Sequence, residues 1–261
     1  MQIYVCVKHV PDSAASITII GDTGIDKNIA FLLNPFDEHA VTQAVKIRDM
    51  QIKEMKQDAE VIAICLGPEN AQATLQSALA MGADKAVLVL TSEDHNSVFT
   101  AKVLKAAIDL DKTPDLILTG KESIDTEGMQ TMFRLGALFD FPVVNNIVKL
   151  DIENSHAIVD HELSGGIVNR YKMSLPCIIG AGRGLNTPKY PTFPDIVKAR
   201  KKIVKKIELA DLDFEPPVSS MTTVKLESLQ QKRNPEELKG DAVQAAGQII
   251  QILKQKAKVI S

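Results

Sequence analysis

Apolar, β-branched runs recur through the first half of the chain, at Ile3 to Val7, Val61 to Leu66, Ala86 to Leu90, Leu116 to Leu118 and Val143 to Val148. Runs this short and this uniformly apolar read as strands buried within a sheet. Between them the apolar residues fall at helical spacing: Ala40, Ala44 and Ile47, then Leu75, Leu79 and Met81, then Val103, Leu104, Ala107 and Ile108. Strand alternating with helix predicts an α/β fold built on a doubly wound, mostly parallel, Rossmann-like sheet. Ligands of such sheets sit beyond the carboxyl ends of the strands, near the point where strand order reverses. The loops after Val7, Leu66, Leu90 and Leu118 are therefore the ones to inspect, and the loop after Leu90 reads as ordinary polar surface.

The pattern changes in the second half. Residues 149–181 alternate apolar and polar positions around Glu153-Asn-Ser and Ser164-Gly-Gly, which predicts a small antiparallel β region, with hairpins near 147–180, on the main sheet. The segment "KARKKIVKK" (198–206) places six positive charges in nine positions. Ala199, Ile203 and Ile207 form an i, i+4, i+8 stripe, so the lysines are expected on the solvated face of one helix. From Glu208 the chain is polar and aperiodic, with Pro216-Pro217, as suits an extended arm. A closing helix is predicted with Val243, Ala246, Ile250, Leu253 and Ala257 on one apolar face that something must cover. The expected organisation is an α/β domain over 1–207 and a partner-contacting arm and helix over 208–261.

Charge narrows the function. Thirty basic against 33 acidic residues create no field for nucleic acid or an anionic membrane, and no apolar run is long enough for membrane insertion. The chain begins directly on the strand-like "MQIYVCVKHV", without the pattern of a signal peptide, and its three cysteines, Cys6, Cys65 and Cys177, are far apart. A cytoplasmic protein without disulfides or a zinc site is expected. The five histidines show no metal-ligand spacing, and neither a nucleophile elbow nor a P-loop occurs, so there is no candidate catalytic or metal constellation.

"GKESIDTEGMQT" (120–131) joins a strand to a helix. The first N–H groups of a helix lack internal partners and favour an anion. Gly120 permits close approach, Ser123 and Asp125 suit ribose hydroxyls, and Gly128, Gln130 and Thr131 bring donors to the helix start. An ordinary polar βα loop would look similar. In "NPFDEHA" (34–40) Asp37 reads as a helix cap, which leaves Asn34 unexplained. "GAGRGL" (180–185) fails as a dinucleotide fingerprint, because Leu185 stands at the third glycine position and three prolines follow. It reads as a loop carrying an exposed leucine.

Together these residues resemble the β subunit of electron-transfer flavoprotein. "VCVKHVPD" (5–12), "NPFDEHAV" (34–41), "CLGP" (65–68), "ALAMGAD" (78–84), "DLILTGKESID" (115–125), Leu175-Pro176 and "GLNTPKYPTFPDIVKARKK" (184–202) appear in the family's order, nearly end to end. The resemblance implies a heterodimer with an α subunit that carries an electron-shuttling FAD, and an adenine nucleotide in this chain. In single-flavin members the nucleotide is a structural AMP. In electron-bifurcating members it is the ADP half of a second FAD that takes hydride from NADH and divides its electrons between a high-potential path and a low-potential acceptor such as ferredoxin. The family's nucleotide contacts fall on Val7, Lys8, His9, Asn34, Cys65, Gly67, Asp125, Gly128, Met129, Gln130 and Thr131, and its partner-docking leucine falls on Leu185, facing an acyl-CoA or hydroxyacid dehydrogenase.

The chain departs from the family at several positions. Glu122 stands where glutamine is usual, and Met129-Gln130-Thr131 replaces the Asn-Gln-Thr of single-flavin members. Gly-Met-Gln-Thr at 128–131 matches the bifurcating pattern Thr-Ala-Gln-Val only at Gln130, while His161 and Ser164 stand where a basic and an acidic residue are usual. "VKHVPDS" and Met129 favour the bifurcating branch, a subunit of an NADH-dependent flavin oxidoreductase complex with no complete active centre of its own. A nucleotide-sensing module of the same architecture is the rival from another class.

Overall fold

The computed structural model describes residues 1–93, 95–217, 222–229, 235 and 237–260, so parts of the expected arm lie outside the described residues. The strands are β1 (Gln2–Cys6), β2 (His9–Pro11), β3 (Ile19–Ile20), β4 (Gly24–Ile25), β5 (Phe31–Leu33), β6 (Glu60–Gly67), β7 (Lys85–Leu90), β8 (Leu116–Gly120), β9 (Val143–Glu153), β10 (His156–Glu162), β11 (Val168–Ser174), β12 (Cys177–Ala181) and β13 (Val204–Glu208). The helices are α1 (Pro35–Lys53), α2 (Gln72–Met81), α3 (Ser97–Asp109), α4 (Thr131–Phe139), α5 (Phe193–Arg200) and α6 (Ala242–Gln255).

Nine strands form one sheet in the order β11-β10-β9-β12-β8-β1-β6-β7-β13. From β9 to β13 all neighbours are parallel, and β10 and β11 add an antiparallel extension at one edge. The chain runs from β1 to β6 and β7 on one side, then returns to place β8 on the other side of β1. Strand order thus reverses between β1 and β8, where their carboxyl ends part to open a crevice.

Alternation along the buried strands divides the core into two layers. Ile3, Val5, Val61, Ala63, Leu116 and Leu118 pack with Ala40, Ala44 and Ile47 of α1 and with Leu75 and Leu79 of α2. Tyr4, Cys6, Ile62, Ile64 and Ile117 point to the opposite face and meet Leu104 and Ile108 of α3 and Leu135 of α4. Helices on both faces explain why the strand sequences lack a polar side. Burying one such leucine or isoleucine stabilises the fold by roughly 1.5–3 kcal/mol, so the sheet is a firm platform for whatever its loops hold.

One expectation is overturned. The basic stretch is not a single helix: α5 stops at Arg200, and Val204–Glu208 is the strand β13, paired in parallel with β7. Val204 and Ile207 are buried while Lys205 and Lys206 are exposed, and Ile203, the middle of the supposed stripe, faces solvent. Pairing with an open sheet edge outweighs the helical spacing. The expected hairpins are present, with the left-handed Asn154 at the β9–β10 turn and Gly165 and Gly166 at the β10–β11 turn.

Candidate functional site

The crevice between β1 and β8 is shaped by α1. Asn34, immediately before this helix, accepts no capping bond. Its backbone N–H donates to the Lys8 carbonyl (3.1 Å), its Nδ2 donates to the Glu122 carbonyl (2.9 Å), and its Oδ1 accepts from the Ile124 N–H (3.2 Å). One side chain therefore ties the loop after β1 to the loop after β8, which accounts for an asparagine that capping did not explain.

Asp37 does not cap α1 either. Its Oδ2 accepts the Lys8 N–H (2.8 Å) and its Oδ1 the Gly120 N–H (2.9 Å), across the point where strand order reverses. A Cβ on Gly120 would overlap Asp37 Oδ1 and lie 2.6 Å from Phe36 Cβ, so the glycine admits the start of α1 itself. Burial pushes the Asp37 carboxyl up to about 7, against the lowering effect of bonds from Lys8, Asn34 and Gly120. Sequence reasoning missed this role because an aspartate at a helix start reads as an ordinary cap. The glycine facing it lies 83 residues away.

The remaining predicted residues take their places around this frame. Val7 is buried and donates its N–H to the Ile64 carbonyl (2.9 Å). The Lys8 ammonium reaches Asp125 at 2.6 Å and Ser123 Oγ at 3.3 Å, so a cation spans the mouth of the crevice. His9 opens β2, stacks on Phe31 with ring centroids 4.8 Å apart, and shares a 2.7 Å hydrogen bond through Nδ1 with Thr74 Oγ1. Its Nε2 is buried without a partner, and burial lowers its pKa, which favours the neutral ring. Cys65 is buried in β6, and desolvation pushes its thiol up to about 12, so it is an inert wall rather than a nucleophile. Gly67 turns the chain from β6 towards α2; a Cβ there would lie 3.1 Å from that of Ala71.

At the rim, Glu127 and Met129 adopt left-handed φ values of 49° on either side of Gly128, where a Cβ would meet nothing within 4 Å. Gln130 precedes α4 without capping it: its Oε1 instead accepts from Ser97 Oγ (3.2 Å) and Arg134 Nη2 (2.6 Å). No side chain caps the first turn of α4, which begins at Thr131. Beside this loop an open pocket of about 360 Å³ is lined by Lys121, Met129, Asn146, His161 and Glu162, among others. The cation and the uncapped helix start suit a phosphorylated ligand, so the residues fit a nucleotide such as FAD or AMP.

Leu185 lies apart from this group. It is half-buried against the core layer under α1 rather than standing free. Its loop is fastened to α1: His39 Nδ1 bonds the Asn186 carbonyl (3.0 Å), Asn186 Nδ2 donates to the His39 carbonyl (3.0 Å) and to Gln43 Oε1 (3.2 Å), and the Lys189 N–H donates to Thr42 Oγ1 (3.0 Å). Nothing in the spacing of these residues announced the attachment. Among the described residues no group of His, Cys, Asp and Glu is arranged to hold a metal, and no helix is long and apolar enough to cross a membrane.

The family model of the electron transfer flavoprotein domain matches residues 23–212. The chain is 33% identical to an electron transfer flavoprotein subunit beta of Dictyostelium discoideum over 263 residues, covering 99% of each chain. It is 31% identical to that of Bacillus subtilis over 264 residues, covering all of each, and 31% identical to that of Homo sapiens over 265 residues, covering 99% of each. With its parallel sheet, its switch-point crevice and its end-to-end match to these subunits, the chain belongs to the electron transfer flavoprotein family.

Proposed function

We propose that this chain is an electron transfer flavoprotein β subunit that holds the adenosine diphosphate part of a FAD in the crevice between β1 and β8. The carrying observation is the convergence of Lys8, Asn34 and Asp125 on the switch point, beside an α4 start left open by its own side chains. Lys8 and the first N–H groups of α4 would meet the phosphates, Ser123 and Asp125 the ribose, and Val7, His9, Cys65 and Gly67 would shape the apolar floor. Past Met129 lies the open hollow lined by Lys121, His161 and Glu162, into which the part of a FAD beyond its phosphates would extend.

When bound, the flavin supplies hydride acceptance and one-electron transfer; this chain orients it and excludes water. NADH is the proposed hydride source, with electrons passing to the flavin of an α subunit and to a low-potential acceptor such as ferredoxin. The half-buried Leu185 and its fastened loop form the proposed docking site for an acyl-CoA or hydroxyacid dehydrogenase. The arm after residue 208 is assigned to the α subunit, because Val243, Ile249 and Ile250 of α6 are exposed and unpaired apolar residues gain most from a partner.

Flavin and nucleotide in the purified heterodimer give the test. Two FAD per heterodimer with little AMP in the acid extract is the expected result. One FAD with one AMP would overturn the FAD assignment and leave the chain as the structural, AMP-holding subunit.

A further inference from the structure

Asp37 sits where the sheet stops holding itself together. Ladder pairing between β1 and β8 ends at Cys6 and Thr119. Immediately beyond, the two oxygens of one buried carboxylate accept the N–H groups of Lys8 and Gly120, one from each diverging strand end. No side chain other than glycine at position 120 leaves room for this arrangement.

We propose that Asp37 is a positioning residue of the nucleotide site: its ionised carboxylate ties Lys8 to Gly120 and thereby sets the gap between the strand ends that receives the phosphates. The inference rests on the nucleotide reading above and adds the residue that controls the width of the site. Two backbone donors require two acceptor oxygens. An asparagine puts an amide donor where one oxygen accepted, and protonation turns one oxygen into a hydroxyl that accepts only weakly, so either change weakens the hold on one of the two N–H groups.

The surroundings make this sensitive to pH. The groups facing Asp37 are the Cys6 thiol from β1, the Lys8 ammonium from the loop after it, the Cys65 thiol from β6, and the Asn34 amide. Lys121, after β8, and Arg183, after β12, lie over the ring of the adjacent Phe36, and Glu38 and His39 follow on the helix itself. Burial outweighs the hydrogen bonds from Lys8, Asn34 and Gly120 and the charge of Lys8, and raises the carboxyl to about 7. The clamp is therefore intact above that value and is lost as pH falls through it. The sign for folding is the reverse: a raised carboxylate pKa contributes stability at low pH that is lost as pH rises from the ordinary carboxylate range towards 7. Loss of the clamp on acidification thus does not coincide with loss of the fold through this group.

The test is calorimetric binding of ADP and of AMP to the nucleotide-stripped heterodimer between pH 6 and 8, for native protein and for Asp37→Asn. The ratio of native to variant affinity cancels titration of the ligand phosphates. It is expected to be about tenfold at pH 8, from one lost bond to a charged acceptor, and to approach one at pH 6. A pH-independent ratio, or equal affinities at pH 8, overturns the proposal. If neither nucleotide binds native protein at pH 8, the nucleotide reading itself falls and takes this inference with it. Should Asp37→Asn fail to fold, amide exchange in native protein decides: protection of Lys8 and Gly120, corrected for intrinsic rates, is expected to rise from pH 6 to 8, and constant protection overturns the proposal.

Discussion

Helices α3 and α4 both follow a parallel strand and pack on the same face of the sheet, yet they begin in opposite ways. Asn96 caps α3, its Oδ1 accepting from the Val98 and Phe99 N–H groups at 3.0 Å each. Gln130 occupies the same position before α4 and turns its oxygen to Arg134 and Ser97 instead. The contrast extends over the described residues: Thr192 caps α5 and Asp241 caps α6, while α1, α2 and α4 have no side-chain cap. The uncapped helices are those whose starts adjoin Asn34, Gly67 and Gly128–Thr131. A cap is worth about 1 kcal/mol. At α1 and α2 main-chain bonds stand in for it, from the Asp37 N–H to the Asn34 carbonyl and from the Gln72 N–H to the Glu69 and Asn70 carbonyls. The start of α4, without a side-chain cap, is the corner that offers donors to a ligand.

The two glycines of the site loop give the sharpest way to break this contrast. Gly120→Ala drives a Cβ into Asp37 and Phe36 and is expected to cost about 3 kcal/mol in urea unfolding, near the top of the overpacking range. Gly128→Ala meets open space and should stay within about 0.5 kcal/mol. Equal costs would mean that the rim is packed as tightly as the strand end.

Lys8→Met separates binding from folding. Its ion pair with Asp125 is 44% exposed on the lysine side, so stability should change by less than about 1 kcal/mol. Affinity for ADP should fall about tenfold, as expected for loss of a charged contact to phosphate. Unchanged affinity with lowered stability would make the pair a structural one.

The caps themselves follow. Asn96→Ala is expected to lower stability by about 1 kcal/mol without altering ADP binding. Gln130→Ala should cost at most a few tenths of a kcal/mol, since its bonds are at the exposed surface. A loss from Gln130→Ala as large as that from Asn96→Ala would show that α4 is capped after all. The smallest effect belongs to His9, whose pKa is lowered by burial. The unfolded chain then binds the extra proton first, so stability should rise with pH through the ordinary histidine range. His9→Phe should flatten that rise in chemical denaturation, and an unchanged slope would assign it elsewhere.

Much of this was readable from the chain. The five apolar runs became β1, β6, β7, β8 and the start of β9, because buried parallel strands must be apolar on both faces. The hairpins were marked by their turn residues. The site loops were findable because doubly wound sheets place ligands at strand ends. Misreadings arose where a residue's meaning depended on a distant partner. Ile203 and Ile207 kept a helical spacing that the open edge of β7 overrode. Asp37 looked like a cap until Gly120 stood opposite it, and Leu185 looked exposed until its loop was tied to His39, Thr42 and Gln43.

Local chemistry determined most of the elements and their order, since apolar periodicity and turn residues act over a few positions. Which carboxylate spans two strands and which helix fastens the loop of Leu185 were decided by contacts between residues 83 and 147 apart in sequence. Such pairs acquire their meaning only when burial removes water and leaves each donor with a single available acceptor.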